Sequence, residues 1–305
     1  MDRLDIPGIA SPADLAGRLD AVGYLADEGL ATAAFLALRM GRPLFLEGEA
    51  GVGKTALARA LAEVASAPLI RLQCYEGLDV SQALYDWDFP RQLLHLKAAE
   101  AVGVSDVEAV ERDLYDRRFL VARPLLQAIE TTPSVLLVDE IDRADDEFEA
   151  FLLEVLSEFS ITVPELGTVT AKAPPLVVLT SNRTREVHDA LKRRCLYHWV
   201  GYPTAPRELE IVRAKVPGVS KKLSEQVVGF VQALRKQDLF KSPGVAETLD
   251  WATALSELDA VALDPAMVSD TLGVLLKYQD DIARLEGGKV KELLDQVQAE
   301  LRAAE

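Results

Sequence analysis

With 305 residues, 49 acidic against 33 basic and a formal charge of −16, the chain is long enough for about two domains and presents a surface that repels phosphate backbones. No Lys/Arg-rich tract relieves that charge, so no dedicated nucleic-acid partner is expected, and the acidity is read as serving solubility. No apolar stretch approaches the length of a membrane span, and Asp2, Arg3 and Asp5 stand without an apolar core beside them, so neither membrane insertion nor a signal peptide is expected and the chain reads as cytosolic.

The first 40 residues read as a helical lead-in whose run Leu25 to Met40 is stopped by Gly41-Arg42-Pro43. Five strands are predicted after it, at Pro43 to Glu47, Pro68 to Cys74, Ser134 to Asp139, Leu176 to Ser181 and Leu196 to Val200. Several are almost wholly apolar, which demands cover on both faces, and the helical segments between them supply parallel crossovers. The stretch from about 75 to 132 is longer than one crossover needs, is broken at Trp87-Asp88-Phe89-Pro90 and Gly103, and reads as a helical insertion. Residues of about 159 to 175 read as a hairpin turning at Pro164-Glu165-Leu166-Gly167. From Thr204 only helical periodicity remains. Helix starts are predicted where Thr204, Ser242 and Asp264 precede a first-turn Pro, and Gly287-Gly288 is expected to end one helix. The organisation expected is an αβα nucleotide-binding domain over 1–203 and an all-α lid over 204–305.

Two segments carry the chemistry. Gly48-Glu49-Ala50-Gly51-Val52-Gly53-Lys54-Thr55 follows an apolar strand and opens a helix from Thr55 and Ala56, with Leu57, Leu61 and Val64 on one face; it fits G-x-x-x-x-G-K-[ST] at every constrained position. Gly48, Gly51 and Gly53 let backbone N–H groups approach phosphate oxygens, Lys54 supplies a mobile charge for them, and the Thr55 hydroxyl suits Mg²⁺. These features imply ATP with Mg²⁺. Val135 to Val138 then ends in Asp139-Glu140, 85 residues after Lys54. A carboxylate at such a strand end serves the Mg²⁺ shell, and a second beside it polarises an attacking water.

A further apolar strand ends in Asn182, at the edge where a parallel sheet collects its polar tips, and Asn182 is placed to hydrogen-bond the water or the γ-phosphate. Lys192-Arg193-Arg194 precede the fifth strand; solvation is the ordinary fate of such a cluster, and phosphate chemistry makes an arginine finger the alternative. Cys74 and Cys195 read as core thiols without a disulfide, and His95, His188 and His198 lack zinc spacing. Tyr85, Trp87 and Phe89 read as a satellite core under a loop, with a partner-binding patch as the alternative.

Loop, Asp-Glu strand, tip Asn, pre-strand Arg and helical lid occur in the order of the AAA+ ATPases, and the details resemble the MoxR family. Asp139-Glu140-Ile141-Asp142-Arg143-Ala144 with Leu153-Glu154 and Ser157-Glu158 is similar to that family's Walker B helix, and Arg71-Leu72-Gln73-Cys74 to its second strand. Residues 83–94, Ala83-Leu84-Tyr85-Asp86-Trp87-Asp88-Phe89-Pro90-Arg91-Gln92-Leu93-Leu94, resemble the branch associated with maturation of carbon monoxide dehydrogenase.

The resemblance implies an AAA+ P-loop αβα sandwich with a parallel five-stranded sheet followed by an all-α lid. It makes Lys54 and Thr55 the Walker A pair, Asp139 and Glu140 the Walker B pair, Asn182 sensor 1, and Arg194 the finger, with Arg193 beside it. It further implies a ring homo-oligomer, a hexamer, with a von Willebrand factor A domain partner and a client metalloenzyme. Where many relatives place a sensor 2 Arg this chain has Gly244, which cannot touch a γ-phosphate; Lys241 is the substitute cation nearby. Two other activities compete. A nucleic-acid-stimulated motor is disfavoured by the acidic surface, and a small-molecule phosphotransferase by Glu140 and the long helical tail.

Overall fold

The computed structural model describes residues 6–101, 112–285 and 288–304; Asp2, Arg3, Asp5, Gly103 and Gly287 lie outside them. Two compact units emerge, one formed by the chain up to Glu47 with Thr55–Trp199, the other by Gly48–Lys54 with the chain from Val200 onward.

In the first unit, Ser11 opens α1 (Pro12–Ala21) through a capping box with Asp14. Asp27 caps α2 (Glu28–Met40), accepting from the Leu30 N–H at 2.7 Å, so this helix starts three residues later than its apolar run predicts. Gly41, at φ +62°, ends it. Then follow β1 (Leu44–Glu47), α3 (Lys54–Val64), β2 (Leu69–Gln73), α4 (Val80–Leu84), β3 (Tyr85–Trp87), α5 (Phe89–Ala101), β4 (Leu120–Ala122), α6 (Pro124–Glu130), β5 (Val135–Asp139), α7 (Asp146–Glu158), β6 (Ser160–Val163), β7 (Gly167–Thr170), β8 (Leu176–Ser181), α8 (Asp189–Arg194) and β9 (Leu196–Trp199).

Five strands form one parallel sheet in the order β2-β5-β8-β1-β9. The three central strands β5, β8 and β1 are buried at every residue, as their unbroken apolar runs require. The edge strands β2 and β9 instead alternate, and Tyr197 and Trp199 of β9 stand exposed. Phe45, Leu136, Val138, Val177 and Leu179 meet Leu125, Ile129, Phe148 and Leu152 of α6 and α7 on one face. Leu44, Leu46, Leu137 and Val178, the alternate residues, are as deeply buried from the other, where α2 packs on β1 and β9. Short antiparallel pairs stand apart from this sheet: β3 with β4, and the β6–β7 hairpin, which turns through Gly167 at φ +84°.

Within the stretch 75–132, Tyr85 and Trp87 pack on the core and Trp87 meets Tyr115 edge-on at 5.3 Å. Phe89 departs from the expected aromatic cluster. It opens α5 and is 67% exposed, because the turn at Asp88, whose carboxylate accepts from the Arg91 N–H, sends the chain into a helix there.

The second unit is helical from Ala205: α9 (Ala205–Lys215), α10 (Lys221–Leu234), α11 (Val245–Glu257), α12 (Pro265–Leu275), α13 (Gln279–Leu285) and α14 (Lys289–Ala304). Its core gathers Val227, Phe230, Val231, Trp251, Leu255 and Leu272, with the buried Trp251 Nε1–H donating to Thr271 at 2.8 Å. Of the three predicted caps, Asp264 accepts from the Ala266 and Met267 N–H groups as expected. Thr204 is an N-cap without a side-chain bond, since Pro206 removes one of the N–H groups it would serve. Ser242 is not a cap. Gly244 takes that position, its N–H held by Glu247 at 2.9 Å, and Pro243 falls outside the helix. No helix among the described residues is long and apolar enough to cross a membrane.

Candidate functional site

Parallel register brings the carboxyl ends of the strands to one edge: Gln73 lies opposite Asp139, and Glu47 opposite both Ser181 and Trp199. The next residues along each strand are therefore Cys74, Glu140, Asn182 and Gly48, the positions where an open α/β sheet binds ligands.

Asp139 is buried and fully partnered. Its Oδ1 accepts from the Thr55 hydroxyl at 3.0 Å and the Thr180 hydroxyl at 2.5 Å; its Oδ2 accepts from Arg71 Nε at 3.0 Å and Nη2 at 2.6 Å. Glu140 follows in the left-handed region, φ 56° and ψ 51°, a conformation that costs a non-glycine residue ~1 kcal/mol or more. Its own N–H, donating to Thr180 at 2.9 Å, holds it there. One carboxylate oxygen of Glu140 accepts from Asn182 Nδ2 at 3.0 Å and the other from Gln73 Nε2 at 3.1 Å. Arg71 Nη2 donates to the amide oxygen of Gln73, closing a line Thr55–Asp139–Arg71–Gln73–Glu140–Asn182.

The segment carrying Asn182 is pinned from below. Buried Asp142 accepts from the Asn182 N–H at 3.2 Å and from Thr184 N–H and hydroxyl at 2.8 and 2.7 Å. Buried Glu149 does the same one turn on, accepting from the His188 N–H at 2.8 Å and pairing with Arg185. Glu47, the last residue of β1, is also buried and meets Arg183 Nε at 3.2 Å and Lys192 Nζ at 3.5 Å. Lys192 thus leaves the cationic cluster expected in solvent, while Arg193 and Arg194 end α8 with exposed side chains. Arg42 holds that helix end, donating to the carbonyls of Arg193, Arg194 and Cys195 at 2.8, 3.1 and 3.2 Å.

Arg71, Gln73, Glu47, Asp142 and Thr180 escaped the sequence reading as site residues. For Arg71, Gln73, Glu47 and Thr180 the one sequence signal was position, each being a polar residue within or at the end of a predicted strand, while Asp142 lies three residues beyond one. Cys74 lies beside the same carboxylates, and burial, reinforced by Asp139, Asp142, Glu140 and Glu149, pushes its thiol up to about 12. Burial alone does the same for Cys195, to about 12, with Arg42 opposing it. Both cysteines are free.

The loop Gly48–Lys54 packs with the second unit and continues covalently into β1 and Thr55. Lys54 is buried and its Nζ donates to the Gly48 and Glu49 carbonyls at 2.7 and 2.6 Å. Gly51 and Gly53 take φ of +76° and +98°, as a loop that turns its N–H groups inward needs. The Gly51 carbonyl accepts from the Ala246 N–H at 3.0 Å, at the start of α11. A Cβ on Gly244 would meet the Ala50 carbonyl oxygen at 2.7 Å and the Gly51 carbonyl carbon at 3.0 Å. Gly244, where the sequence suggested a lost lid contact, is thus the point at which helical backbone touches the loop directly; Lys241 is exposed, its N–H held by Asp281 at 3.1 Å.

Thr55 and Asp139 present hard oxygen donors 3.0 Å apart, the chemistry Mg²⁺ takes when it binds through one carboxylate, a hydroxyl and phosphate oxygens. Among the described residues there is no cluster of three or more His, Cys, Asp or Glu side chains for a metal held wholly by protein. The residues present therefore fit Mg²⁺ arriving with a nucleotide.

A family model described as "AAA domain (dynein-related subfamily)" matches residues 43–195. The gas vesicle ATPase GvpN of Haloferax mediterranei is 26% identical over 277 residues, 88% of this chain and 76% of that protein. An uncharacterized protein of Staphylococcus aureus (strain USA300) is 24% identical over 249 residues, 79% of this chain and 86% of its own length. Among solved structures, the Thermotoga maritima RuvB Holliday junction branch migration motor aligns with a TM-score of 0.45 at 15% identity, over 87% of this chain and 70% of that one.

Proposed function

The chain belongs to the AAA domain family, dynein-related subfamily, and from that membership we propose that it hydrolyses ATP to drive remodelling of a client, as a MoxR-type ATPase working in a homo-oligomeric ring. The observation that carries the reading is the unbroken hydrogen-bonded line from Thr55 through Asp139 to Glu140 and Asn182 at one sheet edge. A relative named as an ATPase over 88% of this chain supports the same activity.

In this reading Gly48 to Ala56 bind the triphosphate, with Lys54 on its outer phosphates. Thr55 and Asp139 hold Mg²⁺, which when bound neutralises charge developing on the phosphates. Glu140 takes a proton from the attacking water, and Asn182, bonded to that carboxylate, orients it. Arg194, exposed at the end of α8, serves a neighbouring subunit's site in a hexamer, with Arg193 next to it. Residues 204–305 act as the lid, and the α11 contact with Gly51 carries nucleotide occupancy to it.

By resemblance, the client is a metalloenzyme of the carbon monoxide dehydrogenase kind, reached with a von Willebrand factor A domain partner in the cytosol. The test is hydrolysis of Mg·ATP by the purified protein with neither nucleic acid nor phosphate acceptor added. Turnover is expected in wild type and its loss in Glu140→Gln, which retains ATP binding. A requirement for DNA, RNA or a small-molecule acceptor would refute the reading.

A further inference from the structure

Arg71 stands on the exposed edge of β2, yet it reaches the buried carboxylate on which the metal chemistry depends. The guanidinium is 46% exposed and Asp139 only 4%, and the two are joined by a pair of hydrogen bonds, Nε to Oδ2 at 3.0 Å and Nη2 to the same oxygen at 2.6 Å. The other oxygen already accepts from two hydroxyls, so Asp139 has no lone-pair direction left for a further cation of full charge. A charge-assisted contact of this kind is among the stronger hydrogen bonds a protein makes, and a guanidinium cannot lose its proton to release it.

We propose that Arg71 is an internal counter-ion that competes with the divalent metal for Asp139, so that Mg²⁺ binding has to displace the guanidinium. The inference rests on the nucleotide-hydrolysing reading of the site and adds a role that reading does not contain: it makes Arg71 a positioning residue that sets the metal concentration at which the site loads. Two features support displacement over a fixed structural pair. The guanidinium is half in solvent, so once released it is rehydrated at little cost, whereas the carboxylate is buried and must keep a cation beside it. The same Nη2 also holds the Gln73 amide oxygen, and Gln73 in turn holds an oxygen of Glu140. Departure of Arg71 removes one restraint on Gln73, whose Nε2 still donates to Glu140 at 3.1 Å and to the Cys74 carbonyl at 3.3 Å.

The experiment is a Mg²⁺ titration of binding of a fluorescent, non-hydrolysable ATP analogue, in wild type, Arg71→Met and Arg71→Lys, with melting temperature followed against Mg²⁺ alone. Met removes the competitor while keeping the stem's packing; Lys keeps a charge and loses the second donor. The half-saturating Mg²⁺ concentration should fall by about tenfold or more in Arg71→Met, the equivalent of one charge-assisted hydrogen bond. Arg71→Lys should fall between that variant and wild type. Without Mg²⁺ the Met variant should melt below wild type, and Mg²⁺ alone should raise its melting temperature more than it raises that of wild type. An unchanged or increased Mg²⁺ requirement in Arg71→Met would overturn the proposal while leaving the ATPase reading intact. Should the Met variant fail to fold, Arg71→Lys decides, since competition predicts a lower Mg²⁺ requirement there too and a wild-type value overturns it. A wild-type protein that binds no analogue at any Mg²⁺ concentration would overturn both.

Discussion

Glu208→Gln should destabilise the helical unit far more than any surface charge change in it. Glu208 lies on α9 with no solvent exposure and is gripped by both terminal nitrogens of Arg235 at 2.7 Å, by the Thr248 hydroxyl at 2.7 Å and by Gln232 Nε2 at 2.8 Å. Arg235 itself is 7% exposed, lies over the Tyr202 ring at 4.6 Å, and donates through Nε to the Pro243 carbonyl at 2.8 Å. Neutralising Glu208 leaves a guanidinium buried without its counter-ion, a loss of ~3–5 kcal/mol. The Tyr202 face, worth ~0.5–2 kcal/mol, is present in the wild type already and so returns none of that loss. The partly exposed pair Arg213–Glu225, also in this unit, is the internal control: Glu225→Gln should cost ~1 kcal/mol or less.

Urea unfolding followed by circular dichroism gives the two differences, and hydrogen exchange localises them. Protection of α9, α10 and α11 amides should drop by ~100-fold or more in Glu208→Gln, taking ~1.4 kcal/mol per decade. The Ser242–Gly244 turn, fixed through the Pro243 carbonyl, loosens at the same time, so ATP affinity should fall as well. A Glu208→Gln protein no less stable than Glu225→Gln would refute the argument that an orphaned buried charge dominates here.

Gly244→Ala should weaken ATP binding by ~10-fold or more without unfolding the helical unit, since the new Cβ meets the Ala50 and Gly51 backbone at 2.7 and 3.0 Å and one side has to move; equilibrium binding checks it, and wild-type affinity contradicts the loop contact. Cys74 and Cys195 should resist iodoacetamide at pH 8 in the folded protein and react on denaturation, because burial lifts both thiols to about 12 from an ordinary value of 9.0. The sign follows: the folded state favours the protonated thiol, so this contribution to stability is complete below pH 9 and is lost as pH rises from there toward 12.

The sheet was legible because its central strands are forced to be apolar on both faces, which left β1, β5 and β8 as unbroken runs at Leu44, Val135 and Leu176. The Gly48–Lys54 turn was legible for a different reason: Gly51 and Gly53 stand where the backbone takes positive φ, which few residue types tolerate. Arg71 and Gln73 carry no signal beyond a family-like strand, since on an edge strand alternating polar residues ordinarily face water. Their partners are 68 and 67 residues away, and nothing local announces the pairing. Ser242 misled because Ser-Pro is a helix-start signal wherever it occurs, while the Glu247 carboxylate that selects Gly244 acts from inside the helix. Gly244 looked like a lost arginine. Only the approach of the Ala50 and Gly51 backbone explains a residue without a side chain at that point.

The most direct test of a shared hydrolytic site is complementation between two inactive proteins, Glu140→Gln and Arg194→Ala, assayed for ATP hydrolysis alone and as a mixture. A finger supplied by a neighbour is worth ~10³–10⁵ in rate, so each variant alone should be nearly silent. In the mixture, an intact Glu140 of one subunit meets an intact Arg194 of the next, and hydrolysis should return. Wild-type turnover by Arg194→Ala alone, or a mixture as silent as its parts, would contradict the account.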